Sequence, residues 1–227
     1  MSFRRTITVL VSVSALALIS VPVVAAGAAP LEVAAVTHWY QGKSGTVKWA
    51  IGDEFLQQLT DAGASLTFCS AAKLSVISGV NVATMPARGN SMIQLGTGSG
   101  SVDGATDCIV TIEGNGTSVE LTTLYFDVST SSSGMAASIN DEYTYLASGP
   151  GRKVPKVATR GKLAVLSPPL TTEAALADIL RGPQNPDGTY AGPVPTMTPD
   201  GVNLGLFQLQ LKVKASSRPQ NPSNSEG

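Results

Sequence analysis

Few residues of this 227-residue chain could support catalysis by their type and spacing. His38 is the single histidine, and no Gly-x-Ser-x-Gly motif accompanies it, so a Ser-His-Asp arrangement is not indicated. Asp53-Glu54 and Asp141-Glu142 are adjacent carboxylate pairs. Acid–base catalysis needs carboxylates that converge, whereas the side chains of neighbouring residues point apart. We therefore expect no catalytic residues and a function that is not enzymatic.

Metal, phosphate and nucleic-acid sites are not indicated either. Asp103 and Asp107 are too few to form a calcium site, which takes several oxygen ligands. The glycine-rich run at residues 96–100 lacks the Lys-Ser or Lys-Thr of a phosphate loop. The formal net charge is −1, and no basic cluster is larger than Arg152-Lys153, which argues against nucleic acid as the partner.

Cys69 and Cys108 are the two cysteines of the chain. An even number of cysteines in an exported protein predicts a disulfide, and closing a loop of this size would stabilise the fold by roughly 3–4 kcal/mol. Two free buried thiols are the alternative. A zinc site is disfavoured, because there is one histidine and no Cys-x-x-Cys motif.

The N-terminus has the order of a secretory signal peptide. Arg4 and Arg5 precede an apolar run over residues 7–20, which is shorter than the roughly 20 residues that span a bilayer, and small residues follow. We expect a signal peptide over residues 1–29, no membrane span after its removal, and a secreted or extracellular location, with envelope association as an option. An N-terminal segment (30–45), one domain (46–213) and a disordered tail (214–227) would follow.

Two helices and many short strands are predicted within the domain. Ile51, Phe55 and Leu59 repeat every four residues and indicate a helix near Gly52–Asp61. A second helix is predicted near Thr172–Arg181, capped by Thr171.

The strands are indicated by alternating apolar residues, and Asn115-Gly116 is typical of a hairpin turn. The predicted fold is mainly β: an antiparallel β-sandwich with two short α-helices.

Four short motifs, spread in order over most of residues 46–213, resemble the haem-transport-associated (HtaA) domain of exported and surface haem-binding proteins of Gram-positive bacteria. The matching residues are Trp49 with Phe55, Gly114-Asn115-Gly116 with Leu121, Leu170-Thr171 before Ala174-Ala175-Leu176, and Tyr190-Ala191-Gly192 with Pro195. The resemblance implies a β-sandwich with short helices and a groove that binds a ligand.

The positions that matter for haem depart from the family. A tyrosine that ligates the iron corresponds here to Gln58, and a supporting histidine corresponds to Asn115, whereas the late tyrosine keeps its counterpart in Tyr190. A neutral amide is a poor ligand for ferric iron compared with tyrosinate. The resemblance therefore implies a site at Gln58, Asn115 and Tyr190 that binds haem weakly or not at all, with no other cofactor.

The function predicted is that of a secreted or cell-surface-associated binding or interaction domain, whose partner is a small ligand or an envelope protein. The alternative is a structural or adhesive envelope protein with an unrelated β-sandwich fold. An extracellular hydrolase is the least supported hypothesis, because no catalytic set can be assembled from the sequence.

Overall fold

Antiparallel strands account for most of the computed structural model, which describes residues 37–89, 91–96, 99–155 and 158–216. The predicted signal peptide lies outside these described residues, as does the predicted tail from residue 217 onwards. The first strand begins at Thr37 and the last one ends at Ser216, so both extend beyond the predicted domain limits of 46 and 213. They extend because they pair with each other, with Trp39 opposite Ser216.

The described elements comprise strands throughout and a short helix near each end. The first half contains β1 (Thr37–Ile51), α1 (Asp53–Asp61), β2 (Ser65–Phe68), β3 (Lys73–Ile77), β4 (Val80–Ala87), β5 (Met92–Gly96), β6 (Gly100–Thr106) and β7 (Val110–Gly114). The second half contains β8 (Thr117–Leu121), β9 (Thr123–Ser129), β10 (Ser132–Ile139), β11 (Glu142–Pro150), β12 (Lys162–Leu166), β13 (Leu170–Thr172), α2 (Ala174–Arg181) and β14 (Asn203–Ser216).

The long strands β1 and β14 organise the large sheet. They pair from Trp39 opposite Ser216 to Ile51 opposite Gly205. On its other edge β1 pairs first with β5 and then with β4, and β14 pairs with β13 and then with β12. The path of pairings β1-β5-β6-β9-β10-β11-β13-β14 returns to β1 and closes on itself.

Two layers of this sheet face each other across an apolar core. The ring of Phe126 on β9 lies 4.8 Å from the ring of Phe207 on β14, between centroids. Gly104 on β6 lies so close to β14 that a Cβ atom would be 2.9 Å from Cδ2 of Leu209. Burying this apolar surface is the main stabilising contribution. The prediction of a mainly antiparallel β fold with two short helices is confirmed.

The helices form where apolar spacing predicted them, with corrections at their ends. In α1 the side chains of Phe55 and Leu59 are buried, but Ile51 belongs to β1 instead of the helical face. In α2 the buried residues are Leu176, Ala177 and Leu180. Thr171 does not cap α2, because it lies in β13 and pairs with Ser148 of β11.

A separate three-stranded sheet, β2-β7-β8, carries the disulfide. The β7–β8 turn places Asn115 at φ 49° and Gly116 at φ 71°, as an Asn-Gly hairpin requires. Cys69 follows β2 and Cys108 precedes β7, and the two form a disulfide across a sequence separation of 39 residues. The predicted disulfide is confirmed in the structure. The backbone N–H of Cys69 donates to the carbonyl of Ile109 at 2.9 Å, so the covalent and hydrogen-bonded links lie side by side.

Removing this link should destabilise the fold. We expect Cys69→Ala combined with Cys108→Ala to lower the free energy of unfolding by about 2–4 kcal/mol, because the unfolded chain regains the freedom of a closed loop. Urea denaturation followed by tryptophan fluorescence measures the effect, and wild-type protein in reductant should match the double variant. Unchanged unfolding midpoints in both would contradict the structural role of the disulfide.

Candidate functional site

The outer surface of the layer opposite β14 carries a groove. Cross-strand partners share a face of a sheet, and the register places Asp103 of β6 opposite Asp127 of β9, and Tyr145 of β11 opposite Ala136 of β10. Phe126, between the outward positions of β9, is buried in the core. Successive side chains of a strand point to opposite faces of the sheet. The strands that bury apolar side chains in the core therefore present polar and aromatic side chains on the outer surface.

We call this feature the tyrosine groove and define it by Met92, Asp103, Tyr125, Asp127, Tyr143 and Tyr145, which line a cavity of about 580 Å³. Its shape depends on Gly134 of β10. A Cβ atom at this position would lie 2.7 Å from Oδ1 of Asp127 and 3.4 Å from Cε1 of Tyr145. The missing side chain allows a carboxylate and an aromatic ring to converge over β10.

The three tyrosines form an open aromatic corner. The ring centroid of Tyr143 lies 5.3 Å from that of Tyr125, at an interplanar angle of 57°, and 5.7 Å from that of Tyr145, at 85°. Tyr143 and Tyr145 are 55% and 52% exposed, although large aromatic side chains are normally among the more buried ones. Since the rings are tilted instead of stacked, ring surface stays open to the groove.

The two carboxylates of the groove have no hydrogen bond or ion pair with the described residues. Asp103 keeps an exposed surface, but desolvation of its carboxyl by the surrounding groups, followed by the negative charge of Asp127, raises its pKa to about 6. Burial also raises the pKa of Asp127. Like charges directly opposite each other in a sheet are destabilising. The groove thus holds a concentration of negative charge that no ion pair with the described residues neutralises.

The remaining charged and phenolic groups of the groove leave the negative charge of Asp103 and Asp127 in place. Arg88 is the one basic residue among the described residues that line it, and its guanidinium lies 3.5 Å from the carboxylate of Asp107. Burial, followed by interaction with Tyr145, raises the pKa of Tyr143 to about 12. Its phenol is therefore neutral at physiological pH, and its ring keeps its electron-rich faces.

The residues predicted from the resemblance lie elsewhere, around the segment 182–202. The Gln58 amide donates to Oγ1 of Thr198 and accepts from the backbone N–H of Thr198, both at 2.8 Å. Nδ2 of Asn115 donates to the carbonyl of Gly192 at 3.4 Å. Tyr190 lies in this segment, with the guanidinium of Arg181 5.1 Å from its ring centroid.

All three predicted residues thus contact or belong to one segment, but through different parts of it, and none of them lines the tyrosine groove. The two amides have partners within the protein, where they help to hold the segment against α1 and the β7–β8 hairpin.

The other candidate residues do not converge on a catalytic arrangement within the described residues. His38 lies on β1, opposite Leu95 of β5. Glu54 accepts a hydrogen bond from the backbone N–H of Asn203 at 2.8 Å, which ties α1 to β14. Asp141 is in the β10–β11 turn at φ 65°. Among the described side chains, no group of three or more His, Cys, Asp or Glu residues is placed to hold a metal ion.

A larger cavity, of about 770 Å³, lies along β12 and β14. Its lining combines aliphatic surface with the polar side chains of Ser44, Thr46, Thr159, Lys162, Gln210 and Lys212, but includes no aromatic or acidic side chain among the described residues. Volume alone does not specify a ligand, whereas ligand sites combine apolar or aromatic surface with a few convergent polar groups. The tyrosine groove combines three aromatic rings with two carboxylates of raised pKa, neither of which lines the larger cavity among the described residues, and we take it as the candidate site.

Sequence reasoning missed the groove because its two aspartates come from different strands. In the sequence, Asp103 stands closest to Asp107, and the two are too few to indicate a site, whereas Asp127 is 24 residues further along the chain. The available signal was the alternation Tyr143-Thr144-Tyr145 after a turn, which places two tyrosines on one face of a strand.

Comparisons with known proteins do not establish a family. The sequence matches no protein-family model and no curated protein. A search of solved structures finds the crystal structure of the haem-binding protein HtaB from Corynebacterium glutamicum, with a TM-score of 0.41 and 11% sequence identity. The match covers 80% of this chain and 98% of that one. A likeness at this TM-score supports no conclusion about family or ligand, so the HtaA resemblance stays a prediction.

The raised pKa of Asp103 predicts a pH-dependent stability. The folded-state pKa of about 6 exceeds the ordinary value of 3.8, so stability is lost as the pH rises from about 4 through 6. Because the side chain keeps contact with solvent, we expect an effect of the order of 1 kcal/mol. Asp103→Asn should therefore raise the melting temperature at pH 7.5 but leave it nearly unchanged at pH 4.

Differential scanning fluorimetry at the two pH values measures this, and Glu120→Gln serves as control, since Glu120 lies on β8 of the other sheet. An equal change in melting temperature at both pH values would show that the carboxylate is not desolvated.

Proposed function

We propose that this chain is a secreted or cell-surface-associated, non-enzymatic binding domain whose ligand occupies the tyrosine groove. The observation that carries the proposal is the convergence, on one face of a hydrogen-bonded sheet, of three partly exposed tyrosines and two carboxylates that have no partner among the described residues. Aromatic side chains and a few placed polar groups are the composition of ligand and partner sites. Structural packing alone gives no reason to expose them.

The charge state of the groove supports binding over catalysis. A glycoside-cleaving pair needs one carboxylate held ionised and the other held protonated. Burial raises the pKa of both Asp103 and Asp127, and no hydrogen bond or ion pair with the described residues holds either carboxylate ionised. The neutral phenol of Tyr143 is likewise unsuited to act as a base at neutral pH.

Export is supported by two independent features. The predicted signal peptide at residues 1–29 would direct secretion. The Cys69–Cys108 disulfide is typical of an oxidising compartment. Among the described residues, no helix has the length and apolarity needed to cross a membrane. The alternative of a structural or adhesive envelope protein shares this location but assigns the groove no small ligand.

Haem at Gln58, Asn115 and Tyr190 is the less favoured ligand and site. The amides of Gln58 and Asn115 are bonded to Thr198 and Gly192, so binding there would first have to break these contacts. The carboxylates of the tyrosine groove would in turn repel the propionates of haem. We therefore propose weak haem binding or none.

Mapping a panel of small molecules by NMR tests the proposed function. Isotope-labelled protein is titrated with choline, spermidine, cellobiose, benzoate and haemin, and backbone amide shifts locate each contact. At least one compound should shift amides of β6, β9, β10 and β11, and Tyr145→Leu should weaken that binding severalfold through loss of aromatic surface. The matched variant Tyr190→Leu should leave it unchanged. Shifts confined to haemin and to amides near Gln58, Asn115 and Tyr190 would contradict the assignment.

A further inference from the structure

We propose that the tyrosine groove binds the alkylammonium group of an organic cation, held between the ring faces of the tyrosines and the carboxylates of Asp103 and Asp127. This inference rests on the proposed function and specifies its ligand class. It follows from the charge, the aromatic surface and the size of the groove.

The charge of the groove favours a cation. Asp103 and Asp127 are cross-strand partners without a counterion in the described part of the chain. Arg88 at the rim pairs with Asp107 in a solvent-exposed contact at 3.5 Å and forms no ion pair with Asp103 or Asp127. A ligand with one positive charge would relieve the repulsion between the carboxylates, whereas an anion would add to it and a neutral ligand would leave it in place.

The aromatic corner supplies the second half of the site. Cations are attracted to the negative face of an aromatic ring within about 6 Å of its centroid. A Cβ atom at Gly134 would lie 2.7 Å from Oδ1 of Asp127 and 3.4 Å from Cε1 of Tyr145, so this carboxylate and this ring are neighbours. An ammonium group against these rings would therefore be within reach of a carboxylate as well. Quaternary ammonium groups are recognised by this combination.

A metal ion fits the same groove poorly. Calcium takes six to eight oxygen ligands and magnesium takes six. The groove offers two carboxylates, and no larger metal-ligating group exists among the described residues. Ring faces are not ligands for these ions, whereas the methyl groups of an alkylammonium pack against them. Met92, 41% exposed at the rim, adds a polarizable apolar contact.

The cavity size and the titration of the groove sharpen the expectation. A volume of about 580 Å³ suits a small head group with part of its alkyl chain. The groups that face the site are the two aspartates, the three tyrosines and the Arg88–Asp107 pair. Since Asp103 ionises near pH 6 in the free protein, affinity for a cation should rise between pH 5 and pH 7.5.

Calorimetric titration of the full chain with choline and with its neutral isostere, 3,3-dimethylbutan-1-ol, tests the proposal. We expect choline to bind at least about tenfold more tightly than the isostere at pH 7.5. Nα-acetyl-lysine methylamide, which keeps its side-chain ammonium group, is titrated in parallel and distinguishes a primary ammonium ligand from a quaternary one. Combining Asp103→Asn with Asp127→Asn should weaken choline binding by about tenfold, towards the affinity of the isostere, whereas Glu120→Gln should not change it. Thermal unfolding checks that each variant is folded.

The outcomes separate this inference from the proposed function. Equal binding of choline and its isostere, or choline affinity that is unchanged by both Asn substitutions, would overturn the cation assignment. Binding of cellobiose or benzoate in the groove without any cation would overturn it as well, but would leave the groove as the ligand site. If no probe occupies the groove, both proposals fail.

Discussion

The pairing of β1 with β14 is the constraint on which the rest of the structure depends. The two strands approach so closely that a Cβ atom at Gly45 would lie 2.0 Å from the carbonyl oxygen of Gln210. At Gly205, where φ is +105°, a Cβ atom would lie 2.0 Å from the carbonyl oxygen of Ala50. The indole N–H of Trp49 donates to the carbonyl of Leu204 at 3.0 Å in the buried interior. Glycines and one buried hydrogen bond thus fix the register of the central pair.

This central pair determines what the opposite layer can present. Each of the two strands is long enough to pair with two other strands in succession along its outer edge. The layer β5-β6-β9-β10-β11 is therefore hydrogen-bonded to β1 at one end and, through β13, to β14 at the other. Packing of the core then decides which side chains of β9 point inward, and these are Leu124, Phe126 and Val128. Tyr125 and Asp127 must therefore point outward. A slip of one residue would bury a carboxylate and expose the core, which is why the groove is as well defined as the core itself.

Patterns among neighbouring residues predicted the helices and turns. They could not predict contacts between strands that are far apart in the sequence. The spacing of Phe55 and Leu59 predicted α1, and Asn115-Gly116 predicted the β7–β8 turn, because both depend on nearby residues only. Trp49 and Phe55 form one motif of the HtaA resemblance, but Trp49 lies on β1, where pairing with Phe207 from the far end of the chain fixes its conformation. The juxtaposition of Asp103 and Asp127 likewise requires the register of β6 and β9, which no local pattern encodes.

The central claim is that an organic cation occupies the tyrosine groove, and a crystal structure of the protein with tetramethylammonium tests it most directly. The account predicts electron density for the ion against the ring of Tyr143, in contact distance of the carboxylates of Asp103 and Asp127. Density at Gln58, Asn115 and Tyr190, or a groove left to solvent at saturating concentration of the ion, would contradict it.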